Sequence, residues 1–414
     1  MSRKFFVVVS CVLAVLACKK EVSAPTISPV CSVTGEYSDL TPYSVTLSGS
    51  AYPLPNVRDV EMGIILSEDA EPNYERGWHC SAHNSNTTYS VTADFLRPST
   101  TYYYRSYLYS RGGINLLRRD YGEVKSFTTP ANNVSATIDH VVAGSSSIYL
   151  AGSVSIEYER SGEIRVRLDY GQDERTVEIS YYYESVTVGE DRRFEFTIDR
   201  MYDDGFYYRT MLYFDNEYYP GEILHADPRP YTPSSGDIID MGLSVKWRSC
   251  NVGADSPEKC GDYYSWGETS TKAEYTGNYY SFPTDVSGEL PLSKDAAYVN
   301  LGEKWRMPTY GEFEELLDNS LRESGVYESV PGKLLISKKN GNALFFPAAG
   351  VNSYIEPQRV GAAGYYWTSS IDTSSEQCAY LYIFDYPEDF WASSGLSCTT
   401  GTEQGCSIRP VCIE

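Results

Sequence analysis

Tyrosine is the residue that most constrains the fold of this 414-residue chain, which contains 38 tyrosines. The tyrosine runs alternate with Val, Ile, Thr and Phe, and turns rich in Gly, Asn and Asp separate them. Aromatic and β-branched side chains fit the pleated surface of a strand, and a period of two is typical of half-buried strands. The pattern therefore predicts a mostly β protein built from sandwich domains.

Two long segments of the chain are similar to each other, at 29–129 and 132–227. The sequence Y-Y-R-S-Y-L-Y at 103–109 returns as Y-Y-R-T-M-L-Y at 207–213. Each copy continues into an aromatic strand and then Gly-Glu-Val or Gly-Glu-Ile, which begins at Gly122 or Gly221. The repeat predicts two tandem sandwiches.

The first copy contains L-R-P-S-T-T-Y at 96–102, which resembles the entry to strand F of fibronectin type III domains. In those domains the tyrosine hydroxyl bonds back to the backbone at the sandwich corner, so the resemblance gives Tyr102 a structural role. The second copy has M-Y-D-D-G-F-Y instead, and we predict an immunoglobulin-like sandwich there. The proline-rich stretch 228–236 is interpreted as a linker to the remaining chain.

The N-terminus has the pattern of a signal peptide, with Arg3 and Lys4 before an apolar run that ends at Ala17. The V-L-A sequence before Cys18 resembles the lipobox of bacterial lipoproteins, which implies removal of residues 1–17, a lipidated Cys18 and a tether over 18–28. Ordinary secretion with loss of Cys18 is the alternative. The K-K-E that follows resembles surface-export signals of Bacteroidetes lipoproteins, which implies an outer-membrane lipoprotein exposed at the cell surface.

Charge excludes two classes of partner. The net charge of −22 becomes −24 when Arg3 and Lys4 leave with the signal peptide. Phosphate contacts need a basic footprint that this chain lacks, so we expect no nucleic-acid binding. We expect membrane contact only through the lipid anchor.

A helix is predicted near the middle of the remaining chain. Thr309 and Glu312 have the spacing of a capping box, and Phe313, Leu316 and Leu317 form one apolar stripe behind them. Strand-like segments lie on both sides of this helix, so the region 237–414 is predicted to be α+β.

Six blocks follow one another in this region: M-G-L-S-V-K-W-R-S-C-N-V-G-A, G-D-Y-Y-S-W-G-E-T, K-W-R-M-P-T, F-F-P-A-A-G, Y-Y-W-T-S-S and S-I-R-P-V. In this order they closely resemble the Fibrobacter succinogenes major paralogous domain (FISUMP) family. The resemblance implies a C-type-lectin-like fold in which the first and last strands pair. Trp247, Trp305 and Trp367 lie inside these blocks, and we assign them to the core. Members of the family are mostly surface proteins without an assigned activity.

The cysteine content predicts disulfides. Eight of the ten cysteines remain when Cys11 of the signal peptide and the lipidated Cys18 are set aside, and an even number in an exported protein suggests pairing. In the lectin-like fold the end strands are neighbours, which implies a Cys250–Cys412 bridge. Cys398–Cys406 would then close a loop and leave Cys260–Cys378 as a third pair. Six cysteines allow fifteen connectivities, so the other pairings stay open.

Aromatic residues in loops of the last domain are the candidate ligand-binding residues. They are Tyr354, Tyr386, Phe390 and Trp391, whose rings offer flat apolar faces with polar edges that suit sugars and proteins. The alternative is that these rings fill a small, loop-rich core.

Patterns for metal or catalytic chemistry are weak. Glu356-Pro357-Gln358 resembles a sugar-binding triplet of calcium-dependent lectins, but the companion W-N-D segment is absent and we predict no calcium site. His79 and His83 flank Cys80 in what we interpret as a loop, which gives no metal site. Formylglycine-generating enzymes share a distantly related fold, but their R-G-G-S-W-type segment has no counterpart. We predict no catalytic residue, metal or cofactor.

Two functional hypotheses remain open. The first is an adhesin-like lipoprotein whose last domain binds an extracellular glycan or a host or bacterial surface protein. The second is a structural component of an envelope complex that contacts protein partners without binding glycans.

Overall fold

The computed structural model describes residues 32–52, 58–82, 87–112, 116–159, 162–280, 283, 286, 288–372, 378–387 and 394–412. The fold is mostly β, and every ladder between the strands given below is antiparallel. The chain divides into two compact units, Met1–Asn132 and Asn133–Glu414, and each is described by itself. Cys18 lies outside the described residues.

The described part of the first unit is a sandwich of two sheets, one with the strand order β1-β2-β5 and one with β4-β3-β6-β7, in which β8 also pairs with β6. Its strands are β1 (Ser32–Ser38), β2 (Val45–Ala51), β3 (Arg58–Ser67), β4 (Trp78–Ser81), β5 (Thr88–Ala93), β6 (Thr101–Gly112), β7 (Leu116–Tyr121) and β8 (Lys125–Thr128). The predicted corner is confirmed, because the Arg97 backbone N–H donates to the Tyr102 hydroxyl at 2.9 Å.

The second unit begins with a sandwich of the same design, with sheets β13-β10-β9 and β12-β11-β14-β15, in which β16 also pairs with β14. Its elements are β9 (Val134–Ala143), β10 (Ile148–Ile156), β11 (Arg165–Gly171), α1 (Glu174–Glu178), β12 (Tyr182–Thr187), β13 (Arg193–Ile198), β14 (Phe206–Phe214), β15 (Glu217–Pro220) and β16 (Leu224–Ala226).

The sequence repeat corresponds to a structural repeat. The two Tyr-rich segments lie in β6 and β14, which occupy the same place in their sheets. In each sandwich the last strand is split, and Gly122 or Gly221 lies at the break. The Gly122 N–H donates to the Ser106 carbonyl at 2.9 Å, and the Gly221 N–H donates to the Thr210 carbonyl at 2.8 Å. The prediction of two similar sandwiches is confirmed at this level.

The C-terminal domain consists of small sheets around two helices, with strand orders β17-β18-β28-β19, β20-β21-β22, β23-β24 and β25-β26-β27. Its elements are β17 (Ile238–Ile239), β18 (Trp247–Arg248), α2 (Ala296–Leu301), β19 (Trp305–Arg306), α3 (Tyr310–Asp318), β20 (Ser320–Tyr327), β21 (Val330–Ser337), β22 (Ala343–Pro347), β23 (Val351–Asn352), β24 (Pro357–Gln358), β25 (Ala363–Asp372), β26 (Cys378–Asp385), β27 (Gly395–Thr399) and β28 (Val411–Cys412). Strand β18, near the start of the domain, pairs with β28 at its end through Trp247 and Val411.

Helix α3 has the predicted cap. The Thr309 hydroxyl accepts from the Glu312 N–H, and the Glu312 carboxylate accepts from the Thr309 N–H, as in a capping box. Phe313, Leu316 and Leu317 are buried on one face. The predicted core positions of Trp247, Trp305 and Trp367 are also confirmed, because all three side chains are buried.

The second sandwich and the C-terminal domain pack against each other through two sheets. The outer face of β9 and β10 presents Val142 and Tyr149, which form a buried apolar cluster with Leu334, Ile336 and Phe345 of β21 and β22. One outer face of the second sandwich is therefore covered by the C-terminal domain.

A buried carboxylate joins the same two parts. Glu323 of β20 is 2% exposed. It accepts hydrogen bonds from the backbone N–H groups of Ser145, Ser146 and Ser147 and from the hydroxyls of Ser145 and Ser147, at 2.7–3.0 Å. A Cβ atom at Gly144 would lie 1.9 Å from the carboxylate, so a side chain there would displace Glu323 from this position. We call this arrangement the serine cradle.

The segment that the sequence identifies as a linker, 228–236, makes contacts with both sides of this joint. The Arg229 N–H donates to the Gly144 carbonyl at 3.0 Å, and its guanidinium donates to the Gly341 carbonyl at 2.6 Å. The Tyr231 hydroxyl lies 3.1 Å from the Glu323 carbonyl and 3.0 Å from the Gly332 carbonyl. The segment is therefore part of the joint.

The protonation of Glu323 is set by the serine cradle. Burial alone would raise its pKa, but the hydrogen bonds from Ser145, Ser146 and Ser147 hold it below the ordinary value of 4.5. A depressed folded-state pKa stabilises the native state above the unfolded-state value. The contribution of this carboxylate is lost as the pH falls through its folded-state pKa.

We expect Glu323→Ala to lower the free energy of unfolding of the second unit by about 3 kcal/mol, because it leaves buried N–H groups without an acceptor. Amide hydrogen exchange in the 144–148 turn should accelerate, and the loss should shrink as the pH falls from the unfolded-state pKa through the lowered folded-state pKa of the wild-type carboxylate. The matched control is Glu303→Ala, which removes an exposed acid from the same unit. Unchanged exchange in the turn would contradict the role of the cradle.

Candidate functional site

A short hairpin on the C-terminal domain exposes three apolar side chains. Tyr354, Ile355 and Val360 are 54%, 57% and 53% exposed. The first two lie in the loop between β23 and β24, and Val360 lies just after β24. We call these three residues the hairpin patch. Ile355 and Val360 were not predicted as binding residues, although their position in a turn-rich segment beside Tyr354 is a usable signal.

The backbone beneath the hairpin patch is fixed. The Tyr275 N–H donates to the Tyr354 carbonyl at 2.7 Å, and the Tyr354 N–H donates to the Asn352 side-chain oxygen at 3.3 Å. Beside Val360, Arg359 forms an ion pair with Asp385 and donates to the Tyr365 hydroxyl. The patch is thus presented on a backbone that is already ordered, which lowers the entropic cost of binding.

The other predicted binding residues do not all join this patch. Tyr386 is half-buried and packs against the core cluster that contains Phe384 and Val411. Its backbone N–H donates to the Ala362 carbonyl at 2.9 Å. This position fits the core alternative that the sequence left open. Phe390 and Trp391 lie outside the described residues.

A disulfide joins Cys378 of β26 to Cys398 of β27, with 5.6 Å between their Cα atoms. The bridge ties together the two strands that flank the segment containing Tyr386, Phe390 and Trp391. Asp372 lies near both sulfurs, and the three potential ligand atoms are within 4.8 Å of one another. A disulfide offers no thiolate for a metal, so this group is a crosslink rather than a metal centre.

The expected disulfide pairings are corrected by this bridge. Cys398–Cys406 and Cys260–Cys378 are wrong, because Cys378 and Cys398 bond to each other and Cys260 and Cys406 are free thiols. Cys406 instead forms a β-bridge with Tyr264. Burial raises the pKa of the Cys406 thiol, which keeps it protonated.

The Cys250–Cys412 pairing is also wrong, since Cys250 is a free thiol. The strands are neighbours as expected, but their register separates the sulfurs. The Cys412 N–H donates to the Lys246 carbonyl. Cys250 lies four residues further along its segment, or about 13 Å at the rise of a strand. A disulfide requires Cα atoms less than about 7 Å apart.

Several acids with shifted pKa values stabilise local structure. Burial raises the pKa of Asp295, which accepts from the Ala297 and Tyr298 N–H groups at the start of α2 and from the Met307 N–H. Burial would also raise the pKa of Glu312, but Arg306 and the cap of α3 hold it below its ordinary value. These shifts come from helix caps and an ion pair, so they do not indicate proton transfer.

A cleft of about 700 Å³ lies between the second sandwich and the C-terminal domain. Hydroxyl groups line much of it, together with Asp199, Asp318, Arg322 and Lys338. The Ser320 hydroxyl on its wall is buried and has no hydrogen-bond partner among the described residues. Charges of both signs and a polar lining suit water or a small polar solute.

His79 lies in strand β4, where a loop was expected. Its Nε2 lies 2.7 Å from the Tyr74 carbonyl, and its ring packs on the Tyr74 ring at 4.2 Å. His83 is outside the described residues. The ring of His79 is therefore part of an aromatic surface cluster on the first sandwich.

Within the described residues, none of the helices has the length and apolar character needed to cross a membrane. The fold defines the class of the protein at a coarse level, as a mostly β chain with two sandwiches of the immunoglobulin or fibronectin III kind.

Comparisons with known proteins do not assign the chain to a more specific class. No family model matches the chain, and no curated protein matches it. Solved structures similar to parts of the chain include a marsupial T cell receptor (15% identity, 51% of this chain and 76% of that chain, TM-score 0.27). Another is a two-domain fibronectin type III segment of chicken tenascin (14% identity, 46% of this chain and 97% of that chain, TM-score 0.20). A third is the sensor domain of the anti-sigma factor RsgI4 in Pseudobacteroides cellulosolvens (17% identity, 25% of this chain and 76% of that chain, TM-score 0.20).

Peptide mapping without reduction should yield one crosslinked peptide that joins Cys378 to Cys398. Cys398→Ser should lower the free energy of unfolding by about 3 kcal/mol, because the closed loop no longer restricts the unfolded chain. Cys260→Ser, which removes a free thiol from the same domain, is the control and should leave the crosslinked peptide intact. A peptide joining Cys398 to Cys406 would contradict the assignment.

Proposed function

We propose that this chain is an exported lipoprotein of the cell envelope, anchored through Cys18 in the outer membrane, that binds a ligand outside the cell. Its C-terminal domain, a FISUMP domain with a C-type-lectin-like fold, is the binding tip of an adhesin-like protein. The function is binding rather than catalysis.

The hairpin patch is the observation that carries this proposal. Three apolar side chains of one short hairpin, each more than half exposed, lie on an ordered backbone in an otherwise acidic protein. Exposed apolar clusters rimmed by polar residues mark interaction sites more often than isolated apolar residues do. The ion pair of Arg359 and Asp385 supplies such a polar rim.

The composition of the patch also supports the second hypothesis, a protein partner in an envelope complex. Tyr354 suits a sugar or a protein, since its ring has a flat face and a hydroxyl. Ile355 and Val360 are aliphatic and gain most from burial against another apolar surface. A protein partner would use all three side chains, whereas a sugar would depend mainly on the tyrosine.

We expect Tyr354→Ala in the mature, unlipidated chain to weaken ligand binding at least 10-fold, as truncation of an aromatic anchor does at about 2 kcal/mol. The measurement is binding to a glycan array and to intact host or bacterial cells. Tyr52→Ala is the matched control, because Tyr52 has the same exposed fraction of 54% but lies in the first sandwich. Equal binding by the two variants would remove the hairpin patch as the site.

A second pair of variants separates the two hypotheses. Ile355→Ser and Val360→Ser should abolish binding to a protein partner and leave glycan binding almost unchanged. A signal on the glycan array that survives both changes but not Tyr354→Ala supports the adhesin. No glycan signal, with cell binding lost in all three variants, supports a protein partner.

The anchor is tested by metabolic labelling with an alkyne fatty acid in a bacterium that processes lipoproteins. The wild type should incorporate the label, and Cys18→Ser should not. Cys11→Ser, which changes a cysteine within the predicted signal peptide, should be labelled like the wild type. Label in Cys18→Ser would favour another acylation site, and no label in the wild type would favour ordinary secretion. Protease treatment of intact cells tests surface exposure.

A further inference from the structure

The second sandwich has a tyrosine- and arginine-rich surface on the sheet that faces away from the C-terminal domain. The apolar joint uses the outer face of β9 and β10, which belong to the other sheet. On the sheet β12-β11-β14-β15, Tyr183 and Tyr218 are 58% and 57% exposed. We call the surface formed by Arg165, Arg167, Tyr183, Tyr213 and Tyr218 the Tyr–Arg face.

Arg167 is the centre of this face. Its guanidinium carbon lies 5.3 Å from the ring centroid of Tyr183 and 5.5 Å from that of Tyr218. Arg165 lies 5.6 Å from the Tyr213 ring, and the Tyr213 and Tyr218 rings are 5.0 Å apart. Two exposed rings therefore share one guanidinium, and a third ring extends the surface across the sheet.

A buried acid holds the guanidinium in place. Asp169 is 0% exposed and lies between Arg167, at 2.8 Å, and Arg209, at 3.2 Å. It also accepts from the Ser180 hydroxyl at 2.8 Å. Nε of Arg167 lies 2.8 Å from the Asp169 carboxylate, and Nη2 donates to Asp169 and to the Ser180 hydroxyl, both at 3.2 Å.

The charge of this centre is opposite to that of the whole chain. Two guanidinium groups, Arg167 and Arg209, surround one carboxylate, which leaves a net positive charge. Arg165 is balanced by Glu163 at the rim. The full chain has a formal net charge of −22. A positive centre flanked by exposed aromatic rings therefore offers a local complement to an anion.

We propose that the Tyr–Arg face binds an acidic glycan, one whose sugars carry carboxylate or sulfate groups. Tyr183 and Tyr218 stack on the apolar faces of sugar rings, and the guanidinium of Arg167, which Asp169 orients, attracts the acid group. This site is separate from the hairpin patch, so it makes the second sandwich a binding domain rather than a spacer.

The first sandwich shows that this chemistry does not follow from the repeat alone. At the corresponding sheet face, the Glu61 carboxylate accepts from the hydroxyls of Tyr107 and Tyr74 at 2.6 and 2.8 Å. The hydrogen bond from Tyr107 helps to keep the pKa of Glu61 below its ordinary value. On that face a carboxylate takes the central place among the tyrosines, and Arg105 and Arg119 lie over the rings of Tyr121 and Tyr74.

The test is affinity electrophoresis of the intact mature chain in gels that contain heparin, polygalacturonate or dextran. We expect retardation by a sulfated or a carboxylated polymer and none by neutral dextran. Tyr183→Ala and Tyr218→Ala should each raise the dissociation constant at least 10-fold. Arg167→Lys should also weaken binding, because lysine keeps the charge but loses the planar guanidinium that Asp169 orients.

Tyr52→Ala is the control and should be retarded like the wild type, since it removes a similarly exposed tyrosine elsewhere. Tyr354→Ala tests whether the hairpin patch takes part. No retardation by either acidic polymer overturns the proposal. Retardation that Tyr183→Ala and Tyr218→Ala leave unchanged also overturns it. Loss of retardation in Tyr354→Ala alone would assign acidic glycans to the hairpin patch, and equal retardation by dextran would refute the role of charge.

Discussion

The carboxylate of Glu323 accepts five hydrogen bonds from three consecutive serines, and the architecture of the second unit depends on this contact. A buried charge is costly unless its oxygens are fully bonded, so β20 and the 144–147 turn must meet in one geometry. The apolar cluster around Leu334 and Phe345 contributes buried area, but apolar contacts do not by themselves fix the orientation of the two sheets. The directional hydrogen bonds of the serine cradle fix that orientation.

This joint determines which surfaces are left for function. It covers one outer face of the second sandwich and turns the predicted linker into a packed segment through Arg229 and Tyr231. The opposite sheet, with Tyr183 and Tyr218, is outside the joint. The hairpin patch lies in the loop between β23 and β24 and just after β24, and its residues take no part in the apolar cluster of the joint. A rigid connection thus leaves two surfaces accessible at once.

Local patterns in the sequence predicted local structure well. The capping box at Thr309 and the corner at Tyr102 need only residues a few positions apart, and both are confirmed. The serine cradle joins residues that are up to 178 positions apart, so no local pattern could reveal it. The predicted disulfide pairings were wrong for a related reason. Strand neighbours were expected, but the register between β18 and β28 decides which cysteines meet.

The candidate sites show the same limit. Tyr354 and Tyr386 are both loop tyrosines in the sequence, yet the first is exposed and the second packs against the core. Exposure depends on which element covers a ring. The Tyr–Arg face was missed because alternating Tyr and Arg residues are also typical of ordinary solvent-facing strand positions. Only the buried Asp169 shows that two guanidinium groups share one acid.

Charge restricts how an acidic ligand could approach this protein. The net charge of −22 repels a polyanion at distance, but that repulsion is screened beyond about 8 Å at physiological salt. Within that range the nearest groups dominate, and at the Tyr–Arg face these are Arg167 and Arg209. Added salt weakens both the attraction of the ligand to the arginines and its repulsion from the rest of the chain. Stacking on Tyr183 and Tyr218 is not screened, so specificity at this face would come from the two rings and the guanidinium of Arg167. The overall acidity would exclude polyanions elsewhere.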